Sequence, residues 1–89
     1  MNKIVRRAVA GTLETSDAYV EVEPIASGVR IELESVVEAQ FGSAILQSIR
    51  EVIEEQDATG VKLRVVDRGA LDCVIRARVE TAIARGKEA

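Results

Sequence analysis

A chain of 89 residues with 15 acids, 12 bases, a formal charge of -3 and no histidine has the size of one domain, 1–89. Its charge opposes binding to phosphate backbones, and Tyr19 and Phe41 are the only aromatics, so unpaired bases find no stacking platform and nucleic acid is excluded as a partner. Without histidine the usual zinc, iron and proton-shuttle arrangements are missing, and Cys73, the single cysteine, has neither a disulfide mate nor a base.

Hydrophobic residues make up 47% of the chain, mostly Val, Ile, Leu and Ala, which suits a thin core of helices on a sheet rather than disorder. A domain this small buries only about 60–65% of its unfolded surface and has no room for a deep catalytic cleft. No segment approaches the roughly 20 apolar residues of a membrane helix. The basic start, Lys3, Arg6 and Arg7, leads into no signal-peptide core, so a cytoplasmic protein without membrane contact is expected.

From Ile4 to Leu13, small, apolar and β-branched residues interrupted by Arg6 and Arg7 predict a first strand ending near Glu14. The segment Gly11-Thr12-Leu13-Glu14-Thr15-Ser16-Asp17 then sets two adjacent hydroxyls between two acids, the composition of a hairpin tip. Beyond it, Ala18, Val20 and Val22 alternate with Tyr19, Glu21 and Glu23, a second strand with one buried face. After the turn Pro24-Ile25-Ala26-Ser27-Gly28, Val29, Ile31 and Leu33 alternate with Arg30, Glu32 and Glu34 in a third strand.

Ser35 and Glu38 have the spacing of a capping box, which predicts a helix beginning at Ser35. Val37, Phe41, Ala44, Ile45, Ile49, Val52 and Ile53 recur every three or four residues as an apolar stripe expected to enter the core. The helix fades through Gln56–Gly60, and Val61, Leu63 and Val65 alternate with Lys62 and Arg64 as a fourth strand, reached by a right-handed crossover. Asp67-Arg68-Gly69 turns the chain into a last helix with Leu71, Val74, Ile75, Val79, Ala82 and Ile83 facing inward and Gly86 at its end. Cys73 is expected as a small buried residue of that helix. Asp72, Arg76 and Glu80, four apart, can form an acid-base-acid ladder. The fold expected is α+β: a two-layer sandwich of a four-stranded mixed sheet with two helices on one face, in the order βββαβα.

Two distant stretches, Ala8-Val9-Ala10-Gly11-Thr12-Leu13-Glu14 and Asp67-Arg68-Gly69-Ala70-Leu71-Asp72-Cys73-Val74-Ile75-Arg76-Ala77-Arg78-Val79-Glu80, together resemble the acyl carrier (gamma) subunit of citrate lyase. The common acyl carriers are helical bundles modified at an Asp-Ser-Leu motif, and no Asp-Ser-Leu occurs in this chain. The resemblance implies a non-catalytic, cytoplasmic carrier of bacterial citrate fermentation. It would bear a covalent 2'-(5''-phosphoribosyl)-3'-dephospho-CoA arm, a prosthetic-group attachment of the phosphoprotein type. On that arm an acetyl thioester is exchanged for citryl, which is cleaved to oxaloacetate with the acetyl carrier regenerated. The implied partners are the acyl-transferase (alpha) and citryl-lyase (beta) subunits and a prosthetic-group transferase.

In that family the modified position, two residues before the Asp, is a serine, and here it is Thr15. Ser16 stands one residue later with the usual nucleophile, so either can be the attachment point. Glu14 and Asp17 are turn acids bonding backbone amides or recognition points for the transferase. Arg78 and Arg85, seven apart on another face of the last helix, can present paired cations to an acidic partner or to the arm's diphosphate. Two other readings stand beside this one: the carrier subunit of malonate decarboxylase, and an unmodified structural adaptor of the same fold.

Overall fold

The computed structural model describes residues 2–88. In chain order the elements are β1 (Asn2–Lys3), β2 (Ala8–Gly11), β3 (Ala18–Pro24), β4 (Val29–Ser35), α1 (Glu38–Glu55), β5 (Ala58–Thr59), β6 (Val61–Asp67) and α2 (Asp72–Lys87). The main sheet runs β2-β3-β6-β4, with β6 antiparallel to β3 and parallel to β4. β1 and β5 form a two-residue parallel pair beside it. The four-stranded mixed sheet with two helices in the order βββαβα is thus the architecture read from the sequence.

Period-two alternation explains the layers. In register, Val20 lies opposite Val65, Val22 opposite Leu63, and Ile31 and Leu33 opposite Leu63 and Val65. These side chains share the face on which the helices lie. Ala18, Val20, Val22, Val61, Leu63 and Val65 are fully or almost fully buried there against Ile49, Val52, Ile75, Val79 and Ile83. The opposite face carries Glu21, Glu23, Arg30, Glu32, Lys62 and Arg64 in cross-strand rows, with Glu21 taking Arg64 at 3.2 Å and also Arg7. Exposed pairs of this kind add little stability, but they keep the open face soluble.

Several local expectations differ from the structure. The first strand is divided: Asn2–Lys3 pairs with Ala58–Thr59, and the amides of Val5 and Arg6 donate to the Gly86 carbonyl, so pairing with β3 begins only at Ala8. Ser35 ends β4 instead of capping α1, because its hydroxyl donates to Asp67 (2.8 Å) and accepts from the Val37 amide (3.1 Å). Helix α1 therefore starts at Glu38 with no side-chain cap.

The apolar stripe of α1 is wider than the surface available to cover it. Ile45, Ile49, Val52 and Ile53 are buried, while Phe41 is 48% exposed and Ala44 is exposed. On α2, Leu71 is 72% exposed and Cys73 lies outside the core, since both sit at the helix start, beyond the reach of the sheet. Gly86 is the penultimate residue of α2, at the helix end expected from the sequence. A Cβ there would stand 2.9 Å from a Val22 methyl and 3.2 Å from an Ile4 methyl, so the missing side chain is what lets α2 seat on the sheet.

Candidate functional site

Residues Thr12–Asp17 form the connection between β2 and β3, the hairpin tip expected from composition. Its base is set by Gly11, at φ +85, where a Cβ would collide with the Ala18 carbonyl oxygen. Glycine is required there both for the left-handed backbone and for the close approach. Inside the tip the Asp17 amide donates to the Glu14 carbonyl (3.1 Å), and the Glu14 amide donates to the Thr12 hydroxyl (3.2 Å).

The tip is fastened from two directions. From the β6–α2 loop, the Arg68 carbonyl accepts from the Ser16 amide (2.8 Å) and the Arg68 amide donates to the Asp17 carbonyl (2.9 Å). From α2, Arg78 donates to the Asp17 carboxylate through Nε at 3.0 Å and a terminal nitrogen at 3.4 Å. The same carboxylate accepts from the Thr12 hydroxyl and the Ala18 amide, each at 2.7 Å. Asp67, 1% exposed at the end of β6, holds the loop in turn by accepting from the Gly69 (3.1 Å) and Ala70 (2.9 Å) amides.

The sequence thus names the acid and the cation separately, and the fold joins them. Asp17 and Arg78 are partners in one clamp. Arg85, seven residues on in α2, donates to the Val9 carbonyl of β2 at 2.8 Å. Glu14, Thr15 and Ser16 are exposed, and among the described residues no hydrogen bond engages the Thr15 or Ser16 hydroxyl. Ser16 has φ +67, a conformation uncommon outside glycine, and its anchored amide keeps it there. The ladder on α2 forms its first rung, Arg76 to Asp72 at 2.8 Å, but Arg76 then turns to Glu51 of α1.

The clamp leaves a titration signature. Hydrogen bonds from Arg78 first, then from Thr12 and the Ala18 amide, hold the Asp17 carboxyl at about 2, below its ordinary 3.8. A depressed carboxylate contributes stability that is complete above the unfolded value and is lost as pH falls through the folded one. Fastening of the tip therefore persists at neutral pH and fails as pH falls from about 4 toward 2. Side-chain carbonyl NMR is expected to read an Asp17 midpoint near 2 in the native chain, and a midpoint moved back toward 3.8 in Arg78→Ala. An unmoved midpoint would show that Arg78 does not hold the carboxylate.

One feature the sequence reading missed lies beside the clamped loop. Val37, Phe41, Ala44, Ala70, Leu71 and Ile75 line a groove of about 420 Å³, and Val36, 64% exposed, projects from the same end of α1. The signal was present as the excess width of the α1 stripe, which reads as core until the area of the sheet is known.

The fold and tip define a small α+β domain that presents exposed hydroxyls on a fastened loop. A family profile described as "ACP: Malonate decarboxylase delta subunit (MdcD)" matches residues 5–86. The citrate lyase acyl carrier protein of Yersinia enterocolitica is 46% identical over 97% of this chain and 90% of its own length. That of Streptococcus uberis is 48% identical over 92% and 81%. A chain in the crystal structure of a Pseudomonas malonate decarboxylase hetero-tetramer in complex with malonate superimposes with a TM-score of 0.80, covering 90% of this chain and 82% of that one at 23% identity, a likeness of fold. The chain belongs to the citrate lyase acyl carrier protein family.

Proposed function

We propose that this chain is the acyl carrier subunit of citrate lyase, bearing a covalent phosphoribosyl-dephospho-CoA arm on Thr15 or Ser16. It would carry acetyl and citryl groups between an acyl-transferase and a citryl-lyase subunit as citrate is cleaved to oxaloacetate and acetate. The arm supplies a thiol on which an acyl group rides as a thioester. The observation that carries the reading is the fastened tip with two exposed, unengaged hydroxyls, in a chain of this family.

The residues present fit such an attachment. A transferase can reach either hydroxyl without unfolding the tip, because the hydrogen bonds that shape it use Thr12, Asp17 and backbone groups. Thr15 occupies the family position, and the strained backbone falls on Ser16. Exposed Glu14 is placed to meet the transferase, whereas Asp17 and Arg78 serve docking by fixing the shape of the tip. The exposed apolar groove beside the loop fits a protein contact surface near the attachment point. Relatives named as acyl carrier proteins support a chain whose part is to carry rather than catalyse. No helix among the described residues is long and apolar enough to cross a membrane.

Intact mass measured after co-expression with the matching prosthetic-group transferase tests the reading. The expected result is a gain of one arm, located by fragmentation on residue 15 or 16, and lost from Thr15→Ala or from Ser16→Ala accordingly. No gain with an active transferase leaves the unmodified adaptor. The carrier of malonate decarboxylase is kept as a second reading by the matching family profile, and the loaded chain decides it: restoring citrate cleavage to a carrier-depleted citrate lyase supports the first reading, and restoring only malonate decarboxylation the second.

A further inference from the structure

The two free edges of the main sheet are treated differently. β2 has four residues, and Arg85 occupies its Val9 carbonyl. β4 has seven residues, and among the described residues no strand pairs with its outer side. Its pairing with β6 tells which backbone groups are free. The Gly28 carbonyl accepts from the Val61 amide (3.1 Å) and the Val36 amide donates to the Asp67 carbonyl (3.2 Å), so even-numbered residues turn toward β6. The N–H and C=O groups of Val29, Ile31 and Leu33 therefore point outward, a row ready to receive another strand.

Charge selects the strand that fits. The solvent face of β4 reads Arg30, Glu32, Glu34 and its inner face Val29, Ile31, Leu33. An antiparallel second β4 centred on Ile31 puts Ile31 opposite Ile31 and Val29 opposite Leu33 as hydrogen-bonded pairs, as the outward backbone groups require. In the closer positions between them Arg30 meets Glu32 twice. Centring on Arg30 sets Arg30 against Arg30, centring on Glu32 also sets Arg30 against Glu34 twice but puts Glu32 against Glu32, and centring on Leu33 sets Glu32 against Glu34; only the Ile31 centre gives two opposite-charge pairs with no like-charge pair. In the single chain Arg30 enters no ion pair among the described residues, and Glu32 has only a 3.8 Å contact with Lys62. Below the edge, Val29 (44% exposed), Ile31 and Ile53 floor an open cleft of about 450 Å³ rimmed by Arg50 and Glu54, apolar surface that a second copy would cover.

We propose that β4 joins two copies of this chain about a two-fold axis through Ile31, merging their four-stranded sheets into one continuous sheet. The hairpin tips stand at β2 and β3, on the far side of each sheet, so both stay exposed in the dimer. This holds whether or not the tip is modified.

Sedimentation equilibrium on the full unmodified chain tests it, with circular dichroism as the control for folding. The native chain is expected to be a dimer. Arg30→Glu sets two acids against two acids and Glu32→Arg two bases against two bases, and each weakens association by about tenfold or more. An equimolar mixture of the two variants restores opposite charges at both positions and with them a heterodimer, and the double variant R30E/E32R restores a homodimer. A native chain that stays monomeric, or a dimer indifferent to both reversals, overturns the proposal.

Discussion

Replacing Gly11 with alanine is expected to cost about 3–5 kcal/mol of folding free energy. Two penalties combine: a left-handed backbone at φ +85, worth about 1 kcal/mol or more for a residue with a Cβ, and a collision with the Ala18 carbonyl oxygen. The oxygen belongs to the backbone of β3 and cannot swing aside as a side chain would. Arg78 Cδ lies 3.0 Å from the same Cβ position, so relief by movement toward α2 disturbs the cation that fastens the tip. For a chain of this size, whose whole stability is about 4–13 kcal/mol, such a loss removes much of the folded margin. Urea denaturation followed by circular dichroism checks it: a loss under 1 kcal/mol would mean that the β2–β3 connection can relax around residue 11. Gly28, also at positive φ but with open space around it, is the control, and Gly28→Ala is expected to lose only the conformational part, about 1 kcal/mol.

The second large effect falls on Asp67. Its buried carboxylate accepts from the Ser35 hydroxyl and from the Gly69 and Ala70 amides, joining the end of β4, the end of β6 and the entrance to α2. Asp67→Ala deprives all three donors of their acceptor and is expected to cost about 2–4 kcal/mol, somewhat less than three full desolvation penalties because Gly69 is exposed and water can reach it. The midpoint of thermal unfolding falls by about 4–8 °C for each kcal/mol. The variant has a second readout that a merely local loss would not produce. Arg68 lies next to Asp67 and holds the Ser16 amide, so faster hydrogen exchange at Ser16 is expected with the same substitution. Unchanged exchange there would separate the loop from the tip.

The elements that alternate or repeat cleanly were legible in the sequence. Val20 and Val22, Ile31 and Leu33, Leu63 and Val65 declare their strands because each strand has one buried face, and the capless but periodic α1 declares itself through Ile45, Ile49, Val52 and Ile53. The insertion of β6 between β3 and β4 is not written in any local pattern, since periodicity carries no neighbour information. Ser35 and Glu38 satisfy the spacing of a capping box, yet a carboxylate 32 residues away takes the Ser35 hydroxyl, a tertiary contact overriding a local one. Gly86 was legible as special and illegible as to why, because its reason is the approach of Val22 and Ile4. At the site, the composition of Thr12–Asp17 shows a tip with hydroxyls, while the clamp that fixes its shape spans 61 residues from Asp17 to Arg78. Acids and cations in a sequence reveal their sign but not their mates.

That clamp bears on how a loaded carrier would work within an assembly. A loop bonded to the turn after β6 and to α2 would give an attached group a stationary pivot, so travel would come from rotation about the bonds of the group itself. Two active sites served by one such pivot have to lie within a single radius of it, on a sphere whose centre the carrier fixes. In the proposed assembly the hydrogen bond between Asp17 and Arg78 would thereby constrain the geometry of the partners: lengthening it would blur the centre and lower the effective concentration of cargo at both destinations at once.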